Sequence, residues 1–579
     1  MPFDLKHGAH IVLSEDKRAQ ELARTQENIK LEPSLADVVE EMTPFAYLFP
    51  DIVDNADNRL PEDNPEAVVA GLNALGSAMI DEATPPEEDS TIPPVYTYWG
   101  QFIDHDLTAS TDRTTATSDI TQEDLRPVPP VQVTESLKNL RRPALDLDSV
   151  YADGPAIFPF RPTEAQGFFD GAKFRIGTNA TDQPPIPPTA EVPPPADDLA
   201  RDLPRIGPLL DAGVIREDEV PESIREKEHF RFNAFIGDMR NDENLIVAQF
   251  HLAVLRFHNA AVDWIANHHS GYRNQHRLFR RARRLTRRHY QWLVVHDFLR
   301  TITIQGTVDR MLFGGLNHYG PRDGQLFMPL EFSVAAFRFG HSMVRAVYDH
   351  NRNFGRGANV LENSPFNLLF LFTGNGTLPN GTVQPFGGQG ATLPFSWIIE
   401  WDRFIDKNSP FPDRFARKID TRLAPPLADM VNEGNNDQVS ERVRELLKHL
   451  ARRNLLRGYS LSLPTGQAAA NALGVTPLSG NELRQGNSDA INTILQENGF
   501  LVRTPLWYYI LKESEVRANG NTLGEVGSRI VAETIVGLIV NDPDSFLNNW
   551  WTPARGVKLP NGDPIVTIGD FFRFAGVLA

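Results

Sequence analysis

The sequence contains no cysteine among its 579 residues. Disulfides, thiolate metal ligands, iron–sulfur clusters and cysteine nucleophiles are thereby excluded, and any chemistry must come from histidine, arginine, carboxylates or a bound cofactor. Basic charge is also short: 57 Lys and Arg stand against 75 Asp and Glu, a formal net charge of −18. Binding a polyanion by counterion release needs a basic surface, so nucleic acid is not an expected partner. Long apolar runs are missing too, and no stretch reads as a membrane span. The first twenty residues, MPFDLKHGAHIVLSEDKRAQ, include acidic side chains and no apolar run long enough for a secretory signal. The expectation is a cytoplasmic protein, or one exported by a signal-free route. Few segments alternate with period two, which argues against a sheet-based fold.

What the chain does hold is proline, concentrated in ATPPEEDSTIPP, in DLRPVPPVQV and, from Thr181 to Pro204, in TDQPPIPPTAEVPPPADDLARDLP. Proline lacks the donor a helix needs. These stretches read as extended surface connections, the last (about 181-204) as a loop or insertion. Beyond it the pattern turns helical. In ENLIVAQFHLAVLRFHNAAVDWIA, Ile246, Phe250, Val254, Phe257, Ala261 and Ile265 recur at steps of three and four, the stripe of a core-facing helix. Further helices are predicted across NQHRLFRRARRLTRRHYQWLVVHDFLRTI, NDQVSERVRELLKHLARRN, TPLWYYILKESEV and GSRIVAETIVGLIVND. Eight arginines fall between Arg273 and Arg288, all but Arg273 within the first of these. One reading is a docking face for an anionic partner; the favoured one is a solvated face that pairs with the chain's own carboxylates. There is no internal repeat and no clean break between two cores. The expected class is mainly α with long Pro-rich loops and little β, although length alone would allow about four domains.

Chemistry-bearing residues gather in a few stretches. In YTYWGQFIDHDLTAS, residues 96 to 110, a helix over 99 to 109 would put Gln101, Asp104 and His105 on one face, at i, i+3 and i+4. Asp106 would lie roughly 200° round from Asp104. A neutral histidine can take a proton from a substrate and return it near neutral pH, yet this stretch alone could equally be a surface turn that meets water. IGDMRNDENLIV holds Arg240 and Glu243 three apart, and AAFRFGHSMV sets Arg338 three residues before His341 in an apolar context. A histidine on an apolar face is usually a satisfied core residue; with an arginine beside it, it also suits an anionic, metal-bearing macrocycle. RRPALDLDSVY offers Asp146 and Asp148 beside a run of carbonyls. That is the oxygen-rich supply calcium prefers, though the spaced acids and closing Glu of an EF-hand are missing.

Together these stretches resemble the animal-type haem peroxidases, the peroxidase-cyclooxygenase superfamily, and its bacterial members in particular. The resemblance runs from about Ile92 to Phe546 and takes in WGQFIDHDLT, GDMRNDENLIVAQFHLAVLRFHN, FRFGH, RRNLLRGYSLSLPTGQ, TPLWYYILKE and GSRIVAETIVGLIVNDPDSFL. It implies one large helical haem-peroxidase domain over 91-579, preceded by an extension, 1-90, that packs on it. By motif position it implies His105 as the distal histidine, Gln101 as its neighbour over the iron and Arg240 as the distal arginine. His341 resembles the proximal iron ligand, Asn454 the asparagine that accepts from its far ring nitrogen, and Arg338 the arginine near a propionate. Asp104 and Glu243 stand where mammalian members form ester links to haem. Asp106, Asp146 and Asp148 resemble calcium's side-chain ligands, with a carbonyl from Ala144; Asp106 would thus tie the distal helix to the 144 to 148 loop.

The implied cofactors are haem b or an ester-linked haem, and calcium. The implied partners are hydrogen peroxide and a small reductant such as a phenol, bromide, iodide or thiocyanate, with an oxoferryl oxidant formed between them. Two positions depart from the pattern. Asn244 replaces the methionine that gives myeloperoxidase a third link, so a weaker oxidant is expected. Arg142 replaces a threonine calcium ligand and is expected to offer only its backbone carbonyl. Two alternatives stand beside the peroxidase reading. One is a haem-dependent fatty-acid dioxygenase, whose YRWH tyrosine has no counterpart in FRFGH. The other is a non-catalytic peroxidase-like binding protein, which would not need Gln101, His105, Arg240 and His341 together.

Overall fold

The computed structural model describes residues 43–578 apart from internal stretches, the longest being 182–197 and 375–391. Most of the Pro-rich segment 181-204 and the first half of the 1-90 extension lie outside the described residues. The fold is mainly α. Its principal helices are α1 (Pro65–Ala78), α2 (Val95–Leu107), α3 (Leu245–His268), α4 (Gln275–Leu293), α5 (Leu450–Ser460), α6 (Leu506–Ala518), α7 (Glu525–Asn541) and α8 (Ile568–Phe574). Among the described residues, sheet is confined to short pieces. In the largest, β1 (Thr43–Ala46) pairs antiparallel with β2 (Lys138–Asn139) and parallel with β3 (Met328–Pro329).

The core is centred on α3. Its predicted stripe is buried throughout, and Phe257 stacks face to face on Phe571 of α8 at 3.8 Å. α3 has the length and apolarity of a membrane span, a weak signal because 83% of its most apolar window is buried inside the fold. Its start is fixed by Asn244, whose side-chain oxygen accepts from Val247 N at 3.0 Å, the expected work of an N-cap asparagine. The arginine-rich helix α4 packs Leu278, Ala282, Leu285 and Tyr290 inward. Arg283 and Arg287 lie over the Tyr151 ring at 5.1 and 5.5 Å, and Arg287 is 3.8 Å from Asp146. Part of that run therefore serves the protein's own aromatic and carboxylate groups.

Three elements differ from the sequence expectation, each for a local reason. The helix predicted through Ile302 passes into a π turn at Val294–Phe298, where Asp297 accepts from Tyr96 Oη at 2.5 Å and from Ile568 N at 2.7 Å. The helix predicted up to Asn454 breaks at His449, which ends Glu441–Lys448 and, with φ −95° and ψ 98°, caps α5. DLRPVPPVQV is extended only in part, since a helix, Pro130–Ser136, begins within it with proline in its first turn, the one helical position proline suits.

Candidate active site

The site is built at the meeting of α2, the turn before α3, and the segment that carries Arg338 and His341. That segment is a π turn, Glu331–Ala335, followed by a 3-10 turn, Ala336–His341. Three residues per turn eclipse positions i and i+3, so Arg338 and His341 come to the same side. Both line a cleft of about 780 Å³, open mouth included. Gln101 and Asp104 of α2, Glu243, Asn244, Phe339, Phe370 and Arg453 share its wall. Arg338 Nη1 lies 3.8 Å from Asp104 Oδ2.

Behind His341, the amide nitrogen of Asn454 sits 2.7 Å from Nδ1, and Trp507 meets the ring edge-on. The sequence expectation had the asparagine accept from this nitrogen; here it faces the ring with its donor atom. Burial, then the nearby guanidiniums of Arg338 and Arg453, hold the His341 pKa well below the usual value.

The one-face expectation for α2 holds for Gln101 and Asp104 on the cleft. His105, 100° further round the helix, is fully buried, and its Nδ1 donates to Asn241 Oδ1 at 2.9 Å. Asn241 in turn donates through Nδ2 to His251 Nδ1 at 3.0 Å. Burial first, and then Arg240, lower the His105 pKa to about 4. Arg240 donates to the carbonyls of His105 (2.9 Å) and Thr108 (2.8 Å), and its Nε and Nη2 engage Asp238. Although Asp238 is buried, its two arginine neighbours hold its carboxyl well below the usual range. His105 and Arg240 are thus paired, and neither is among the residues that line the cleft. Asn244 Nδ2 donates to Gln101 Oε1 at 3.0 Å; since Asn244 Oδ1 is committed to the α3 cap, Gln101 turns its own donor group elsewhere.

On the far side of α2, carboxylate atoms of Asp106, Asp146 and Asp148 lie within 4.8 Å of one another. Asp106 and Asp148 are fully buried, and neither Asp148 oxygen receives a hydrogen bond from the described residues. Burial and mutual repulsion raise both of their pKa values. Buried acids this close and this poorly satisfied fit a divalent cation with oxygen ligands. Leu147 takes φ +59° between the last two acids, and its N–H donates to Asp106 Oδ2 at 3.2 Å. Arg142 lies beside the cluster. Its carbonyl accepts from Ala144 N at 2.8 Å across a turn centred on Pro143, whose fixed φ suits it, and keeps a second lone pair for a cation. Its guanidinium, to which the sequence pattern gives no role, meets Asp146 at 3.2 Å.

Residues 211–382 match the family model described as animal haem peroxidase. The chain carries an animal haem peroxidase domain. The enzyme is accordingly a haem peroxidase, an oxidoreductase. Among solved structures, peroxidase A from Dictyostelium discoideum is similar with a TM-score of 0.56 at 15% identity, over 93% of this chain and 94% of that one. A fatty acid alpha-dioxygenase from Oryza sativa is similar with a TM-score of 0.54 at 14% identity, over 89% and 77%. At these identities the likeness is one of fold. No curated protein matches the chain in sequence. The cleft fits haem: it joins apolar walls to a histidine, two guanidiniums that can meet propionates, and two carboxylates.

Sequence reasoning did not single out Asn241, His251, Asp238, Arg141 or Arg453. Asp238 and Asn241 flank Arg240 within GDMRND, so their nearness was visible, but their partners, His105 and Arg141, stand 136 and 97 residues away. Tyr96 and Tyr98 also line the cleft, tyrosines that a reading of FRFGH alone does not reach.

Proposed function

We propose that this peroxidase uses hydrogen peroxide to oxidise small electron donors, phenols or bromide, iodide and thiocyanate among them, through residues 91-579 acting as one domain with 1-90 as an extension. The observation that carries the reading is the His105–Asn241 hydrogen bond. With Nδ1 donating to an amide oxygen, the ring's proton is placed there and Nε2 keeps its lone pair, the state a general base needs. The lowered pKa keeps that ring neutral at neutral pH. Arg240, fixed by Asp238 and two carbonyls, supplies a positive charge that needs no reorganisation when negative charge develops on oxygen.

Haem, when bound, supplies the iron at which peroxide is cleaved and the oxidising equivalents passed to the donor. His341 would ligate it through Nε2, which requires the proton on Nδ1 and the Asn454 amide turned to offer its oxygen. Arg338 and Arg453 would meet the propionates, and Gln101 would face the bound peroxide from α2. Asp104 and Glu243, both on the cleft wall, would form the ester links. Asp106, Asp146 and Asp148, with the Ala144 carbonyl, would hold calcium.

The test is rapid mixing of the haem-loaded protein with hydrogen peroxide, followed by a phenol or bromide. The Soret band should shift and the donor should reverse it. His105→Ala should retain haem while its reaction with peroxide slows by about 10² to 10⁴; an unchanged rate removes His105 from the mechanism. A wild-type protein that ignores peroxide but consumes a fatty acid would favour the dioxygenase reading.

A further inference from the structure

The buried charges beside Arg240 do not end at Asp238. Asp238 Oδ2, which accepts from Arg240 Nη2 at 2.7 Å, also accepts from Arg141 Nη2. The other terminal nitrogen of Arg141, Nη1, lies 3.5 Å from Asp148 Oδ1. Asp148, Arg141 and Asp238 are each at most 1% exposed. From Arg240 the chain of contacts passes to the carbonyls of His105 and Thr108 at the end of α2. α2 then returns to the acidic cluster through Asp106. The result is a closed ring: Asp148, Arg141, Asp238, Arg240, the last turn of α2, Asp106.

We propose that Arg141 and Asp238 are positioning residues that couple cation occupancy of the Asp106–Asp146–Asp148 cluster to the pose of Arg240. This rests on the calcium part of the proposed function. One guanidinium is shared between two buried carboxylates, and in a poorly screened interior the sharing follows the charge on each. A divalent cation on Asp148 draws that carboxylate's charge to itself, so Arg141 commits to Asp238 and the Asp238–Arg240 contact takes one geometry. Without the cation Asp148 competes for Arg141, and Asp238 rebalances toward Arg240. The forked guanidinium is what lets one side chain serve both acids; a lysine ammonium is a point charge that satisfies one. Linkage makes the coupling reciprocal, so changes at Asp238 must be felt as cation affinity at a cluster it does not touch.

A buried ionic network that merely holds the fold predicts lost stability and no particular sign for cation binding. The ring predicts opposite signs. In Arg141→Met a positive charge that competes with the cation is gone, and calcium should bind several-fold more tightly. In Asp238→Asn, Arg141 is left with Asp148 alone, and calcium should bind several-fold more weakly. Both are read by calorimetric titration of calcium into chelator-stripped, haem-loaded protein. Haem content and thermal midpoint verify folding, and Arg141→Lys substitutes for Arg141→Met if the latter does not fold, with a smaller shift of the same sign.

A second readout separates positioning from general loosening. Removing calcium from the wild type should slow the peroxide-consuming step by about tenfold and leave the donor-consuming step unchanged; in Arg141→Met the peroxide step should no longer respond to calcium. Calcium shifts of one sign in both variants, or none, overturn the coupling while the cation site stands. A wild type that binds no calcium overturns the cation reading and the coupling with it.

Discussion

At the scale of single residues, the site works by denying side chains alternatives. Asn241 cannot serve His105 and His251 at once except with its oxygen to one and its nitrogen to the other, and that choice places the His105 proton. Asn244 caps α3 with its oxygen and donates its amide to Gln101, so both ends of the side chain are engaged. Asp104 and Glu243 are carboxylates on the cleft wall, where the proposed ester links to haem would be made. If the proposed ester links form, haem in peroxide-treated wild type should resist acid–acetone extraction. Asp104→Asn with Glu243→Gln should release it completely, and haem still held by the double variant would place the attachment elsewhere. His105, Arg240 and His341 were legible as residues from their motifs. Of their partners only Asn454 was, since Asn241 reaches His105, and the His105 and Thr108 carbonyls reach Arg240, from distant segments, and the neighbouring Asp238 carries no motif of its own.

At the scale of elements, the two turns that interrupt helices carry the geometry. A continuous α-helix through His341 would set Arg338 and His341 about 60° apart, whereas the 3-10 turn superposes them above the cleft. Periodicity could predict α3, whose apolar stripe repeats over many residues, while α6 and α7, buried on nearly every side, are legible from apolar content and length. It could not predict the π turn at Val294–Phe298 or the break at His449, where a single hydrogen-bonding side chain decides. The N-cap of α3 offers a measurement. Asn244→Ala should lower stability by about 1 kcal/mol, while Asn244→Ser should recover most of it. Because only asparagine at this position also donates to Gln101, Asn244→Ser should restore the denaturation midpoint without restoring wild-type donor kinetics.

At the scale of the whole molecule, acid is the exposed weakness. His251, His289 and His350 are fully buried, and burial lowers each pKa to about 3 from 6.5. Between those values the unfolded chain binds a proton that the folded chain refuses, so stability falls as pH drops below about 6.5, by about 1.4 kcal/mol per pH unit for each histidine. Glu331 and Glu513, both raised to about 7 chiefly by burial, act in the reverse sense between about 4.5 and 7. His289 has no hydrogen-bond partner on either ring nitrogen among the described residues. Denaturant midpoints of His289→Leu should therefore change with pH less steeply than wild type, by about 1.4 kcal/mol per unit between pH 4.5 and 6.5; parallel slopes would assign the acid sensitivity to other groups. The ring of charges carries a kinetic meaning of its own. Its members come from three segments, near residues 105, 141 to 148 and 238 to 240, and a closed circuit has no half-formed state that satisfies its buried ions. It must close late, after distant parts of the chain have met, and contacts made after the folding barrier lengthen the life of the native state more than they hasten its formation.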